Sequence, residues 1–178
     1  MRQSGATLLE LMVVLAVSAV LLTIGIPSFA SLITSGRLTS AANELVSSLH
    51  LTRSEAIKRN ARAVMCPSAT GTSCTDGDWH QGWIVFHDAN NNARVDAGEA
   101  VILTRQALPS GLRATSEGST ARYISYAPGG DTKQTSGAWQ AGSLTVCRES
   151  QEPGEARQII ISRTGRPRTA KTVLTSCP

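Results

Sequence analysis

Two arginines one residue apart, Arg166 and Arg168, sit within the run Ser162-Arg163-Thr164-Gly165-Arg166-Pro167-Arg168. Gly165 permits a tight backbone turn, and Pro167 stiffens the segment between the two guanidiniums. Guanidiniums held this way can grip successive phosphates at a lower ordering cost than a flexible tail would incur. Arg163 and Lys171 join the block by proximity and charge, Arg157 less so, and after Glu155 the chain carries no acid. An acid-free basic block favours a polyanionic partner, either nucleic acid or an anionic lipid surface. The plain alternative is a solvated hairpin turn whose arginines serve solubility. Because no recognition helix accompanies these residues, nucleic-acid contact would be dominated by phosphates and indifferent to sequence. About 2–4 phosphate contacts imply a salt slope of about −2 to −4 and an affinity on the order of micromolar or poorer. A stacking platform for single strands needs several aromatics on one face. Trp83 and Phe86 read instead as core and rim of a sheet, so no preference for single strands is expected.

The second chemically costly feature is Glu10, placed in a long apolar run that continues from Leu11 to Ile26. A charge at bilayer depth costs about 2.5–3.5 kcal/mol on insertion scales and calls for a cationic partner. A secretory signal has an apolar region of about 7–15 residues followed by a small-residue cleavage site. Here the run is longer, and Gly5 precedes it. The stretch Arg2-Gln3-Ser4-Gly5-Ala6-Thr7-Leu8-Leu9-Glu10 resembles the class III leader of type IV prepilins and pseudopilins. That resemblance implies cleavage after Gly5 by a prepilin peptidase and methylation of the new terminal amine at Ala6. It also implies a helix-kinking role for Pro27. Glu10 would then neutralise the terminal amine of a neighbouring subunit when helices leave lipid and pack into a filament.

Bulk properties are modest: 178 residues, a net charge of +4 and a pI near 9.2. Beyond residue 60 about 120 residues remain, enough for a real core. The four cysteines, Cys66, Cys74, Cys147 and Cys177, form no CxxC pair. An even count without metal-ligand spacing, in a chain expected to face outward, reads as two disulfides. Of three possible connectivities, Cys66–Cys74 with Cys147–Cys177 is favoured. The second bridge would stabilise by about 3–4 kcal/mol in the chain-entropy model and pin the basic tail. Asp88, Asn90, Asn92, Arg94, Asp96 and Glu99 have the spacing of a twelve-residue calcium loop, with Val95 at its apolar position. Ala93 stands where the sharp turn wants glycine, and no helix pair flanks the loop. A polar connection between strands explains the same residues by turn chemistry, so no metal and no cofactor are expected. His50, His80 and His87 are the only histidines. No GxSxG, Walker or HExxH pattern is present, so the chain does not read as an enzyme.

Positioning these groups takes one long helix and a sheet. Leu38, Ala41, Ala42, Leu45, Leu49, Ala56 and Ile57 draw an apolar stripe, with Arg37, Asn43, Glu44, Ser47, Arg53 and Lys58 on the solvated side. A nearly continuous helix is expected from about Thr7 to Asn60, about 80 Å long and bent near Gly25-Ile26-Pro27. Arg59 and Arg62 suit a helix C-terminus. Short β-rich runs follow: Ala63 to Cys66, Gly82 to His87, Ala100 to Gln106, Arg122 to Ala127, Ser143 to Cys147, Arg157 to Ser162, and one between Pro167 and Leu174. Segments 67–80, 128–142 and 148–155 read as loops. The fold class is α+β, a long N-terminal helix packed on an antiparallel β-sheet domain. The organisation is a leader at 1–5, a transmembrane or filament-core helix at 6–27, an amphipathic half at 28–60 and a β-rich domain at 61–178.

Gly82-Trp83-Ile84-Val85-Phe86, followed by Asp88, Asn90, Asp96, Gly98 and Glu99, resembles the GspH/FimT family of minor pilins and pseudopilins. The Gly165-Arg166-Pro167-Arg168 run is similar to the GRxR motif of its competence-associated FimT branch. The resemblance implies a minor type IV pilin that captures extracellular double-stranded DNA for natural transformation, with Arg166 and Arg168 as the main contacts. Its other implied partners are major and minor pilins, prepilin peptidase and, before assembly, the inner membrane. The globular part would be periplasmic and then extracellular. Rival readings are a minor pilin that primes assembly at the pilus tip, and a type II secretion pseudopilin, neither binding DNA.

Overall fold

A computed structural model describes residues 7–177, apart from the side chains of residues 24–28 and 30. Gly5 and Ala6 lie outside the described residues, as do the side chains of Gly25-Ile26-Pro27 where a bend is expected.

One helix, α1, runs from Leu8 to Arg59. Thr7 starts it: its Oγ1 accepts the Glu10 backbone N–H at 3.2 Å, satisfying one orphan donor of the first turn. Glu10 then lies at the positive end of the helix dipole, with Lys58 and Arg59 at the negative end. Asn60 stops the helix in a left-handed conformation (φ 48°). The N–H of Asn60 bonds Ile57 O and that of Ala61 bonds Ala56 O, both at 3.2 Å, which is the Schellman pattern.

The chain divides into two units between Arg37 and Leu38. In the first, the described apolar side chains from Leu8 to Leu22, with Phe29, Leu32 and Ile33, are exposed. The expected span at 6–27 starts and ends on residues not fully described. Among the described residues, no helix is long and apolar enough to cross a membrane.

In the second unit, eight strands follow the helix: β1 (Ala63–Pro67), β2 (Trp83–His87), β3 (Val101–Arg105), β4 (Leu112–Ser116), β5 (Ile124–Tyr126), β6 (Gly142–Arg148), β7 (Gly154–Ile161) and β8 (Pro167–Leu174). They form two antiparallel sheets, ordered β3-β2-β1-β5 and β4-β6-β7-β8. β4 is a strand that sequence periodicity misses, and β7 begins inside the expected loop 148–155. The expected loop 67–80 contains the start of a 3-10 turn, Trp79–Gln81, which buries Trp79.

Leu38, Ala41, Ala42, Leu45, Leu49 and Ala56 of α1 meet the inner faces of both sheets, where Met65, Trp83, Val85, Ile124, Leu144, Val146, Ile159 and Ile161 lie. Ile57 departs from the expected stripe and is half exposed. Its place in the buried face is taken by two hydroxyls, Ser48 and Thr52. Each donates to a carbonyl one turn back, Glu44 O at 2.9 Å and Ser48 O at 2.7 Å, and so enters the core satisfied. Ser48 Oγ also accepts the Trp83 indole N–H at 2.9 Å. Ser48→Ala should therefore cost about 1–3 kcal/mol in urea unfolding, since it strands a buried donor.

The outer face of the first sheet is also covered. Val64, Cys66, Ile84 and Phe86 pack under Ala93, Val95, Cys74 and Tyr123. Phe86 is thus fully buried and not at a rim, because the 88–99 loop closes over it.

Candidate nucleic-acid interface

β7 and β8 are joined by a tight turn. Ile161 pairs with Pro167 as the last rung, and Gly165 N–H donates to Ser162 O at 2.9 Å. Gly165 is buried with φ 73°. A Cβ on it would overlap the carbonyl oxygen of Gly130 and come within 2.9 Å of Tyr126 Cε1. Gly130 in turn packs against side chains of α1: its own Cβ would come 2.9 Å from Arg53 Nε and from Ile57 Cδ1. The turn thus rests on a second turn, and the second turn on the helix. Thr132 adds a polar tie, donating its N–H to Arg163 O at 3.2 Å and its hydroxyl to Ser162 O at 3.0 Å.

This support leaves Arg163, Arg166 and Arg168 exposed on one turn and its outgoing strand. Register separates the remaining cations. Arg168 lies opposite Ile160, whereas Lys171 lies opposite Arg157. Arg157 shares its side of the sheet with the core residues Ile159 and Ile161, so strand alternation puts Lys171 and Arg168 on opposite faces. Arg157 itself is buried, with Nη1 3.2 Å from Ala156 O and 3.4 Å from Glu155 Oε2. It belongs to the interior and not to a surface block.

Beneath the turn, the Tyr126 hydroxyl and Arg53 Nε are buried without a hydrogen-bond partner among the described residues. Burial pushes the Tyr126 phenol well above its usual range, while the Arg53 guanidinium pulls the other way. The phenol therefore stays neutral and adds no negative charge beneath the arginines. Arg53, read as solvated from sequence, is half-buried. Arg62 lies beyond the helix end and donates Nη1 to Ser125 Oγ at 3.0 Å and Lys133 O at 3.1 Å. It pins the hairpin that follows Thr132 rather than neutralising the helix dipole.

The 88–99 loop uses its carboxylates internally. Asp88, which is buried, accepts the N–H of Asn92 on Oδ1 and of Ala93 on Oδ2, both at 3.0 Å. Glu99 accepts from Ala89 N at 2.8 Å and Asp96 N at 3.0 Å. Asp96 accepts the side-chain amides of Asn90 at 2.8 Å and Asn92 at 2.6 Å, which hold its pKa below the usual carboxylate value. Stabilisation from a depressed carboxyl is present above its ordinary range and lost as pH falls through the lowered value. Ala93 adopts the left-handed turn (φ 56°) without a glycine. Among the described residues, no three His, Cys, Asp or Glu side chains are grouped to hold a metal. The histidines do not converge: His50 is exposed on α1, His87 ends β2, and His80 meets Arg113 Nη1 at 2.9 Å. Cys66 is bonded to Cys74, and Cys147 to Cys177.

The family described as Type II transport protein GspH matches residues 41–165. The chain belongs to the GspH family. A prokaryotic N-terminal methylation motif matches residues 1–26 of this GspH-family chain. Pilin-like protein PilA1 of Thermus thermophilus is 36% identical over 101 residues, covering 56% of this chain and 57% of that protein. The GspH-family chain thus spans little more than half the length of that relative. Its fold is that of the type IV minor pilin FimU of Pseudomonas aeruginosa, with a TM-score of 0.60, 19% identity, and coverage of 81% and 97% of the two chains. The minor pseudopilin EpsH from the Type 2 Secretion System of Vibrio cholerae also matches, with a TM-score of 0.53, 15% identity, and coverage of 75% and 96%. The GspH match ends at Gly165, so the family accounts for the scaffold under the turn while Arg166 and Arg168 lie beyond it.

Proposed function

We propose that this GspH-family chain is a minor type IV pilin whose β7–β8 turn captures extracellular double-stranded DNA, without sequence preference, for uptake in natural transformation. The observation that carries this reading is a rigid support, the Gly165–Gly130 backbone contact, beneath three exposed arginines. Rigid guanidiniums lose little freedom on meeting phosphates, and several subunits engaging one long polyanion would compensate for weak single contacts. Arg166 and Arg168 are the principal contacts, Arg163 a third from the same turn, and Gly165 their support. Lys171 reaches DNA only around the edge of β8.

The N-terminal methylation motif supports cleavage after Gly5, methylation of Ala6, and assembly through Glu10 with major and minor pilins. The exposed apolar side chains between Leu8 and Ile33 suit lipid before assembly and neighbouring helices afterwards. Those side chains equally favour a purely structural subunit, in a pilus or a secretion system, so the arginines must decide.

The test is titration of fluorescent duplex DNA with the full chain in mild detergent, beside the double variant Arg166→Gln, Arg168→Gln, at two salt concentrations. Salt-sensitive binding reduced by about tenfold or more in the folded variant is expected from the loss of two phosphate contacts. Binding that ignores the substitutions, or no binding by the parent chain, would return the protein to the assembly reading.

A further inference from the structure

We infer that Trp139, on the hairpin tied to the basic turn, is a base-stacking contact that adds affinity for unpaired nucleotides, in single strands or frayed duplex ends, to the phosphate grip that duplex already receives. The inference rests on the DNA-binding reading above. Trp139 is 52% exposed and is the one exposed Trp, Tyr or Phe side chain among the described residues from Leu38 onward. It joins none of the apolar clusters that bury Trp79, Trp83, Phe86 and Tyr126. Singly exposed apolar residues are common, but a large indole held in water on a bonded hairpin presents a face that a partner can use.

Its setting is built rather than loose. Trp139 bridges Lys133 across a short hairpin closed by Gln134 N–H to Ala138 O at 2.8 Å and by Gly137 N–H to Gln134 O at 2.9 Å. The flanking Thr132 and Gln140 are fully buried, so alternation turns Lys133 and Trp139 outward. Gln140 anchors the hairpin by accepting Ser125 N–H at 2.9 Å and donating to Ser119 O at 2.7 Å and Tyr123 O at 2.8 Å. The bonds from Thr132 to Ser162 and Arg163 join this hairpin to the arginine turn itself. The Lys133 ammonium lies 5.0 Å from the indole centroid and 3.6 Å from Asp131 Oδ2, a cation–π contact that steadies the ring.

A fixed aromatic face on a hairpin bonded to the arginine turn through Thr132 fits a strand whose bases are free to turn outward. In duplex the base faces are already stacked on each other, so the arginines act alone. Base–aromatic stacking is tolerant of sequence, consistent with a non-specific receptor; one indole is no platform for successive bases, and its contribution is a single-base contact added to the arginines.

The experiment compares an oligothymidine strand with a blunt duplex of equal length, using the full chain in mild detergent, its Trp139→Ala and Trp139→Phe variants, and the Arg166→Gln, Arg168→Gln pair. Trp79 and Trp83 are buried, so quenching of indole emission reports Trp139. The expected result is quenching by oligothymidine, about tenfold weaker binding of that strand by Trp139→Ala, most of it restored in Trp139→Phe, and duplex affinity within about twofold of the parent. Unchanged strand affinity, equal losses on both DNAs, or absent quenching overturns the stacking role, while loss of binding in the arginine pair keeps the DNA reading. Failure of the parent chain to bind either DNA removes both. A Trp139→Ala variant that binds as the parent does but fails to assemble assigns the indole to a subunit contact and also overturns the proposal.

Discussion

Gly165→Ala should destabilise the protein by about 2–5 kcal/mol and displace the arginine turn. Two costs combine. A left-handed backbone carrying a Cβ costs about 1–2 kcal/mol, and overpacking against a rigid neighbour adds about 1–3 kcal/mol. The neighbour is the Gly130 carbonyl, which is backbone and is held in a turn by Gly130 N–H to Ala127 O at 2.8 Å. Gly137→Ala is the matched control, because Gly137 has φ 86° with nothing within 4 Å of the added atom. It should lose only the conformational term, about 1–2 kcal/mol. Gly130→Ala should fall between them, since the atoms it meets belong to the Arg53 and Ile57 side chains, which can give way. Urea unfolding of the three variants checks the order. Equal losses at 165 and 137 would mean that the two turns separate freely and that the arginines have no rigid support.

Removing the second disulfide, by Cys147→Ser with Cys177→Ser, should cost about 3–4 kcal/mol for a closed loop of this size. The two cysteines are 30 residues apart and form a small buried cluster with Ala156 and Leu174. Ser150 and Cys177 also exchange backbone bonds, at 3.1 and 2.8 Å. β8 has a strand neighbour on one side only, β7. It is secured at its far end by this cystine and at its near end by the Gly165–Gly130 contact. Hydrogen exchange should therefore rise first over 169–174 and last over 162–167. Uniform acceleration along β8 would show that the cystine, and not the glycine contact, holds the arginine turn. The bridge Cys66–Cys74, separated by 8 residues, closes a shorter loop. On loop closure alone it should contribute less, about 2–3 kcal/mol.

The helix and most of the strands are legible in the sequence because their signals are local. The stripe Leu38, Ala41, Ala42, Leu45, Leu49 repeats at helical spacing, and β8 coincides with the run from Pro167 to Leu174. β4 is hidden because only Leu112 and Ala114 of its five residues are buried. Its Arg113, Thr115 and Ser116 resemble the polar connections on either side. Ser48 and Thr52 are hidden for another reason: a hydroxyl satisfied by its own helix is as buriable as an alanine. Ile57 is misplaced because apolar spacing persists to a point where the core does not. At the site, the turn chemistry of Gly165 can be read directly, but its support cannot. Gly130, Thr132 and Arg53 reach it only through the packing of distant segments, and Trp139 is marked only by its exposure. The separation of Arg168 from Lys171 follows from the strand itself, since positions three apart alternate faces.

The open flank of β8 has a consequence of its own. A strand with one partner presents a row of unused backbone donors and acceptors that a second copy could pair with, and charged side chains are the usual guard against this. Arg168 and Lys171, pointing to opposite faces of that strand, repel an incoming twin from whichever side it approaches. In a filament, where identical or similar subunits are held at high local concentration, the same two cations would keep neighbouring sheets from merging edge to edge.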